Sequence, residues 1–204
     1  MRLALRLALA AAPAVLAAAC AGAPVQPDPA AAAFDPERAP PALSPLVARA
    51  GDAVDRLQRA LSRRLMEELS DAPGAVPVCR DEAPALTAEV AQALGVTLGR
   101  TSHRLRNREN APRPWAAGLV AQAAARPAAE ARAVAVDLGD RIGYLRPIPT
   151  GQPCLKCHGP PAELSPGVRA ALQGGYPADQ ATGFAEGDLR GFFWVEVRKE
   201  PAPP

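Results

Sequence analysis

Cys154-Leu155-Lys156-Cys157-His158 is the stretch from which the rest of this 204-residue chain is read. C-x-x-C-H is the attachment signature of a c-type haem. Two thiols three positions apart can add to the two vinyl groups of one porphyrin, and the adjacent histidine then lies under the iron. The chain has only four cysteines and two histidines, so chance accounts poorly for three of these six residues falling in this order. A four-ligand zinc site would need Cys79 or His103 as well, and no second ligand pair exists. A thioredoxin-type dithiol should follow a strand and open a helix within a βαβ unit, which the flanking sequence does not suggest.

Working outward, 204 residues allow one domain of ordinary size plus segments outside it. Basic residues exceed acidic ones by 23 − 21 = 2, which gives no case for nucleic acid as a partner. Aromatics make up only 4% of the residues and prolines number 24, so a small core with long solvated connections is expected. Residues 1–19 carry Arg2 and Arg6 and then an apolar run from Leu7 to Ala19, broken by Pro13. That run is too short to span a bilayer and suits a secretory signal. Export agrees with haem attachment, which takes place outside the bacterial cytoplasmic membrane.

Leu16-Ala17-Ala18-Ala19-Cys20 resembles a lipobox, with Ala17 where leucine is usual. Ordinary cleavage after Ala21-Gly22-Ala23 competes with it. A cysteine directly after such an apolar run favours the first reading: a periplasmic lipoprotein held on a membrane surface by lipidated Cys20. Residues 20–43, rich in Pro and Ala, read as a tether of polyproline character, spanning ~3.1 Å per residue. The domain is expected over 44–198, with 199–204 as a tail.

Ser44-Pro45 reads as an N-cap and first helical position. Leu46, Ala50, Val54, Leu57, Leu61, Leu65 and Leu69 then form one face of a long amphipathic helix. Met66 sits beside this stripe and reads as a core gap-filler rather than a ligand. A second helix is expected from Pro77 or Asp81 to Leu94, with Gly95 as its C-cap and Cys79 at its start. Val96 to Arg100 alternates as a strand, and a short helix covers Trp115 to Ala125. Val134–Leu138 and Arg141–Ile148 form a hairpin signal around Gly139-Asp140, with Pro147, Pro149 and Pro153 ending its second strand. Pro166–Leu172 reads as a short helix, and Phe192–Val197 is the most aromatic strand. Helices first and strands later, without βαβ alternation, indicate an α+β fold with an antiparallel sheet.

A haem held by His158 has a sixth position to fill, and the residues alone leave Cys79 and His103 as even candidates. With Cys20 lipidated or removed, Cys79 is an odd cysteine in an exported protein. The loop after the first strand carries Arg104, Arg106 and Arg108, and arginine forms bidentate bonds with carboxylates such as the haem propionates. Arg104 and Arg106 are the candidates for that role. Tyr144, Phe192, Phe193 and Trp194 could supply apolar contacts or simply core.

Several ordered motifs resemble one bacterial family of exported haem-binding domains. They are Cys79 with Ala83-Pro84, Gly99-Arg100-Thr101-Ser102 with Leu105-Arg106-Asn107, and Pro147-Ile148-Pro149-Thr150 before the haem motif. After it come Tyr176-Pro177, Ala181-Thr182-Gly183-Phe184 and Gly187-Asp188-Leu189-Arg190-Gly191. The resemblance covers roughly residues 45–198. Its members stand alone or serve as sensing modules of membrane histidine kinases. It implies a PAS-like α+β fold with flanking helices and one covalent haem c. In this reading Cys154 and Cys157 carry the thioethers, His158 is proximal and Cys79 distal, while His103 replaces a usually aliphatic residue and is incidental. The function so implied is not enzymatic: a redox or small-gas sensor module working with a separate redox or signalling protein. A low-potential electron-transfer cytochrome is the alternative, and a peroxidase using His103 and an arginine is a more distant one.

Overall fold

The computed structural model describes residues 32–70 and 73–199. The signal segment, Cys20, the tether up to residue 31 and residues 200–204 lie outside the described residues.

The centre is a five-stranded antiparallel sheet: β1 (Ala33–Phe34), β2 (Thr97–Thr101), β3 (Val134–Asp137), β4 (Arg141–Pro149) and β5 (Leu189–Arg198). Their order across the sheet is β1-β3-β4-β5-β2. The hairpin β3–β4 turns through Gly139, whose φ of 88° favours glycine. Pro147 stays inside β4 because β3 reaches no further than Leu145, so the strand's last residues need a partner only on the β5 side.

Helices cover both faces, as the α+β expectation required. The 25-residue α1 (Ser44–Glu68) buries Val47, Ala50, Ala53, Val54 and Leu57 against Tyr144, Phe193, Val195 and Val197. Its start differs in detail from the expected cap. Leu43 holds the cap position without a side-chain hydrogen bond, and Ser44 lies inside the helix. The next helical run is continuous but changes pitch: α2 (Ala75–Pro77), a π-turn at Val78–Glu82, then α3 (Ala83–Leu94), which ends on Gly95 at φ 58°. On the other face α4 (Pro114–Ala124) packs Trp115, Ala116 and Val120 on Val136, Leu145, Leu189 and Phe192. Two short helices, α5 (Gln152–His158) and α6 (Pro166–Gly175), fill the connection from β4 to β5.

Two boundaries move. Among the described residues the sheet starts at β1, where Ala33 and Phe34 pair with Val136 and Ala135, so residues 33–43 pack with the domain rather than extending as a tether. Ala39 and Leu43 pack against the main core. Lys199 joins the domain at the other end, its backbone N–H bonding Asp140 and its amine bonding Asp137 at 2.6 Å. Met66 is 55% exposed and fills no gap in the core.

Candidate functional site

The haem motif forms α5, which the sequence had not marked as a helix. Gly151 precedes it in an extended conformation and Pro153 occupies its first turn, where a missing N–H costs nothing. Gly159 stops it, and a Cβ there would meet the carbonyl oxygen of Leu155. Cys154 and Cys157, three positions apart, therefore share one helix face. No disulfide joins them. The motif does follow a strand and open a helix, but β5 returns antiparallel to β4, so the thioredoxin-type βαβ unit is absent. Burial raises the Cys157 thiol pKa, the opposite of what an attacking thiolate needs.

His158 is oriented from behind. Its Nδ1 lies 2.7 Å from the carbonyl oxygen of Ala181, which fixes the proton on Nδ1 and leaves Nε2 with a lone pair. Burial, followed by the nearby charges of Arg190 and Arg106, holds the ring's pKa well below the ordinary histidine value. A neutral imidazole with one unprotonated nitrogen is the form that ligates a metal. The loop carrying Ala181 is clasped to the end of α5, with Phe184 N–H bonding His158 O at 2.9 Å and Gly183 N–H bonding Gly159 O at 2.7 Å. Phe184, fully buried, stands edge-on to His158 with centroids 6.3 Å apart.

His158, Cys154 and Cys157 line a cavity of about 340 Å³ between α1, the π-turn and the open ends of β2, β4 and β5. Leu61 and Leu65 from α1, Leu69 at its C-cap and Phe193 from β5 give it apolar walls. Cys79 lines the same cavity from the π-turn, where the Ala83 N–H reaches back five residues to Val78 O. π-turns are rare and recur at functional sites. His103 does not line the cavity. It lies against Phe184 at 6.1 Å, and burial followed by Arg104 and Arg190 lowers its pKa. The structure thus brings Cys79 to the motif and leaves His103 aside.

The arginines sort differently from expectation. Arg104 stacks on Phe184, 4.1 Å from the ring centroid, and bonds Gln180 O, away from the cavity. Arg106 lines the cavity but is already engaged: it pairs with Asp179 at 3.0 Å and donates to the Cys157 and Ala181 carbonyls. Arg190, not proposed from the sequence, lies with Nε 3.4 Å from Nε2 of His158. Burial and the guanidinium groups of Arg106 and Arg100 pull its pKa down to about 10. Among the aromatic candidates only Phe193 lines the cavity, joined by Tyr176, which was not among them, whereas Tyr144 and Phe192 are core and Trp194 packs over Gly99.

The crystal structure of the cyanobacterial heme-protein Tll0287 matches with a TM-score of 0.50 at 21% identity, over 72% of this chain and 98% of that one, a similarity that speaks for the fold. No curated protein matches the chain. The family model described as Tll0287-like matches residues 35–198, well over half of the sequence, and the chain belongs to that Tll0287-like family.

Proposed function

We propose that this chain holds one haem c in the cavity and serves as a redox or small-gas sensing module. Cys154 and Cys157 form the thioethers, His158 is the proximal ligand and Cys79 the distal one. The observation that carries the reading is that one cavity is lined by all three residues of the C-x-x-C-H motif and by a lone cysteine from a distant helical turn. The residues fit the group. The volume falls in the range of ~300–1,000 Å³ usual for ligand pockets, the walls are mostly apolar, and the outer nitrogen of the histidine keeps its lone pair, met only by Arg190 Nε at 3.4 Å. The related cyanobacterial protein being a haem protein supports the same cofactor here. A haem between imidazole and thiolate supplies one-electron redox chemistry with the ferric state favoured.

The chain's own residues favour sensing over simple electron transfer. Glu82, at the end of the π-turn that carries Cys79, bonds Arg64 of α1 at 2.6 and 3.0 Å. Lys156, inside the haem motif, bonds Leu69 O at the other side of the same helix end, 3.1 Å away. Both ligand-bearing elements are thus fastened to the C-terminal half of α1, while its N-terminal half is anchored on the sheet. A change in Cys79's attachment would bias the position of that helix end, the two-state element a sensor needs. A peroxidase would require an acid–base group facing the cavity, and His103 does not face it. Export, attachment to a membrane surface through lipidated Cys20 and a separate signalling or redox partner complete the proposal.

Protein matured in a host that assembles c-type cytochromes should gain the mass of one porphyrin. The gain should vanish in Cys154→Ser/Cys157→Ser. A mature chain of unmodified mass would end the reading.

A further inference from the structure

Three guanidinium groups face the cavity, from Arg100, Arg106 and Arg190, and among the described residues no Asp or Glu lines it. Arg106 is neutralised by Asp179, the two side chains being 8% and 12% exposed. Arg100 and Arg190 have no carboxylate partner among the described residues, and Arg190's guanidinium lies against the His158 ring and over Phe184, 5.4 Å from its centroid. A cation withdrawn from water without a counter-charge is expensive, and such groups normally find a partner. Counting the near charges, three arginines and one aspartate leave 3 − 1 = 2 positive charges unanswered.

The fold places Arg190 there by a specific device. In β5, Phe193 and Gly191 line the cavity, while Phe192 and Leu189 belong to the core on the opposite face. Strict alternation would put residue 190 with Phe192, away from the cavity. The ladder between β4 and β5 shifts at Ile148/Pro149: Ile148 pairs with Gly191 and Pro149 with Leu189, leaving Arg190 as the extra residue of a bulge. The bulge turns its side chain onto the cavity face, a known use of bulges beside functional sites. Arg100 needs no such device, since it pairs directly with Phe193 across β2 and β5 and shares its face.

Building on the haem reading, the structure assigns Arg100 and Arg190 as the anchors of the two porphyrin propionates, one planar fork for each carboxylate. Two uncompensated cations meet two anions, and guanidinium geometry matches a carboxylate bidentately. Arg106 is then a strut that ties the loop of Ala181 to α5, and Arg104 a surface stack on Phe184.

The test compares Arg100→Gln, Arg190→Gln, Arg190→Lys and the control Arg104→Gln, all matured with covalent haem. Mass and the low-spin spectrum report folding and attachment; midpoint potential and the propionate bending band in resonance Raman report the anchors. Each Gln variant of 100 or 190 should shift the reduction equilibrium roughly tenfold toward ferric, the scale of one charge acting across ~10 Å of protein, and move the propionate band. Arg190→Lys should lie between, and Arg104→Gln should match the parent. Because a variant could fail to mature, the parent is read too: its propionate band should lie at the frequency of a hydrogen-bonded carboxylate. Variants that keep the parental potential and band, or a parental band typical of free propionates, overturn the assignment alone. A parent carrying no porphyrin overturns the haem reading, and the assignment with it.

Discussion

Nδ1 of His158 lies 2.7 Å from the carbonyl oxygen of Ala181 and donates to it, and that single bond decides which nitrogen of the ring faces outward. The same carbonyl accepts from Arg106 at 3.1 Å, and Arg106 is in turn locked to Asp179. Asp179 completes the circuit by accepting from the backbone N–H of Ala181. The orientation of the candidate iron ligand therefore depends on a buried ion pair two residues before its acceptor.

Asp179→Asn should cost about 3–5 kcal/mol, the effect of leaving one member of a buried pair uncompensated. Urea denaturation of parent and variant measures it. The histidine should also lose its fixed orientation, seen as a broadened low-spin signal in the haem-bearing protein. An unchanged midpoint of unfolding would show that Arg106 does not depend on this aspartate.

Glu196 gives a pH dependence of known sign. It is 6% exposed and accepts from Arg113 and Trp115 at 2.9 Å and from Arg141 at 3.1 Å. Burial pushes its carboxyl upward, but the three hydrogen bonds together outweigh this and hold its pKa below the usual 4.5. The unfolded chain thus binds this proton more readily than the folded one. Stability contributed by Glu196 is fully present above pH ~4.5 and is lost as the pH falls through the lower folded value. Glu196→Gln should cost about 2 kcal/mol at neutral pH and flatten the acid limb of stability against pH. A limb equally steep in both proteins would sink the claim.

Much of this architecture is legible in the residues because it follows from local periodicity. The three- and four-residue spacing from Leu46 to Leu69 is α1, and alternation around Gly139-Asp140 is the β3–β4 hairpin. β1 is not legible, because two residues carry no pattern and acquire meaning only in register with β3. Arg190 is hidden for a sharper reason: alternation read along β5 puts it on the wrong face, and the bulge that corrects it depends on a non-local pairing with Ile148 and Pro149. Arg104 misled for the converse reason, since position in a basic loop says nothing of the Phe184 face that receives it.

Gly191 should be irreplaceable even by alanine. A Cβ there would run into the backbone oxygen of Thr101 and approach Ser102 Cβ at 3.1 Å, and a paired strand cannot withdraw as a flexible side chain would. Gly191→Ala should destabilise by about 1–3 kcal/mol, the cost of overpacking, and disturb the bulge that aims Arg190. Thermal unfolding checks the first part and the midpoint potential the second. A variant as stable as the parent would mean the two strands separate there more easily than their ladder suggests.

The two sequence candidates for the distal position make opposite spectral predictions. Cys79→Ala should turn a low-spin thiolate spectrum into a high-spin or water-ligated one and raise the midpoint potential, because an electron-donating ligand is removed. His103→Ala should leave both unchanged, as expected for a ring packed on Phe184 outside the cavity. The reverse outcome would exchange the roles of the two residues.

If the molecule senses rather than merely passes electrons, its two oxidation states must differ in structure away from the cofactor. The elements placed to differ are the π-turn at Val78–Glu82 and the end of α1, joined by Arg64, which also bonds Glu68 at 2.7 Å. Hydrogen exchange of backbone amides should therefore change between ferric and ferrous protein in residues 61–70 and 78–83, and not in β3, β4 or α4. Glu82→Gln should leave the change at the π-turn but reduce it in α1, since the bonds to Arg64 are weakened. Those side chains are partly exposed, so the variant's global stability should change little. Identical exchange in the two states would favour the electron-transfer cytochrome, a rigid carrier whose partner reads only the electron.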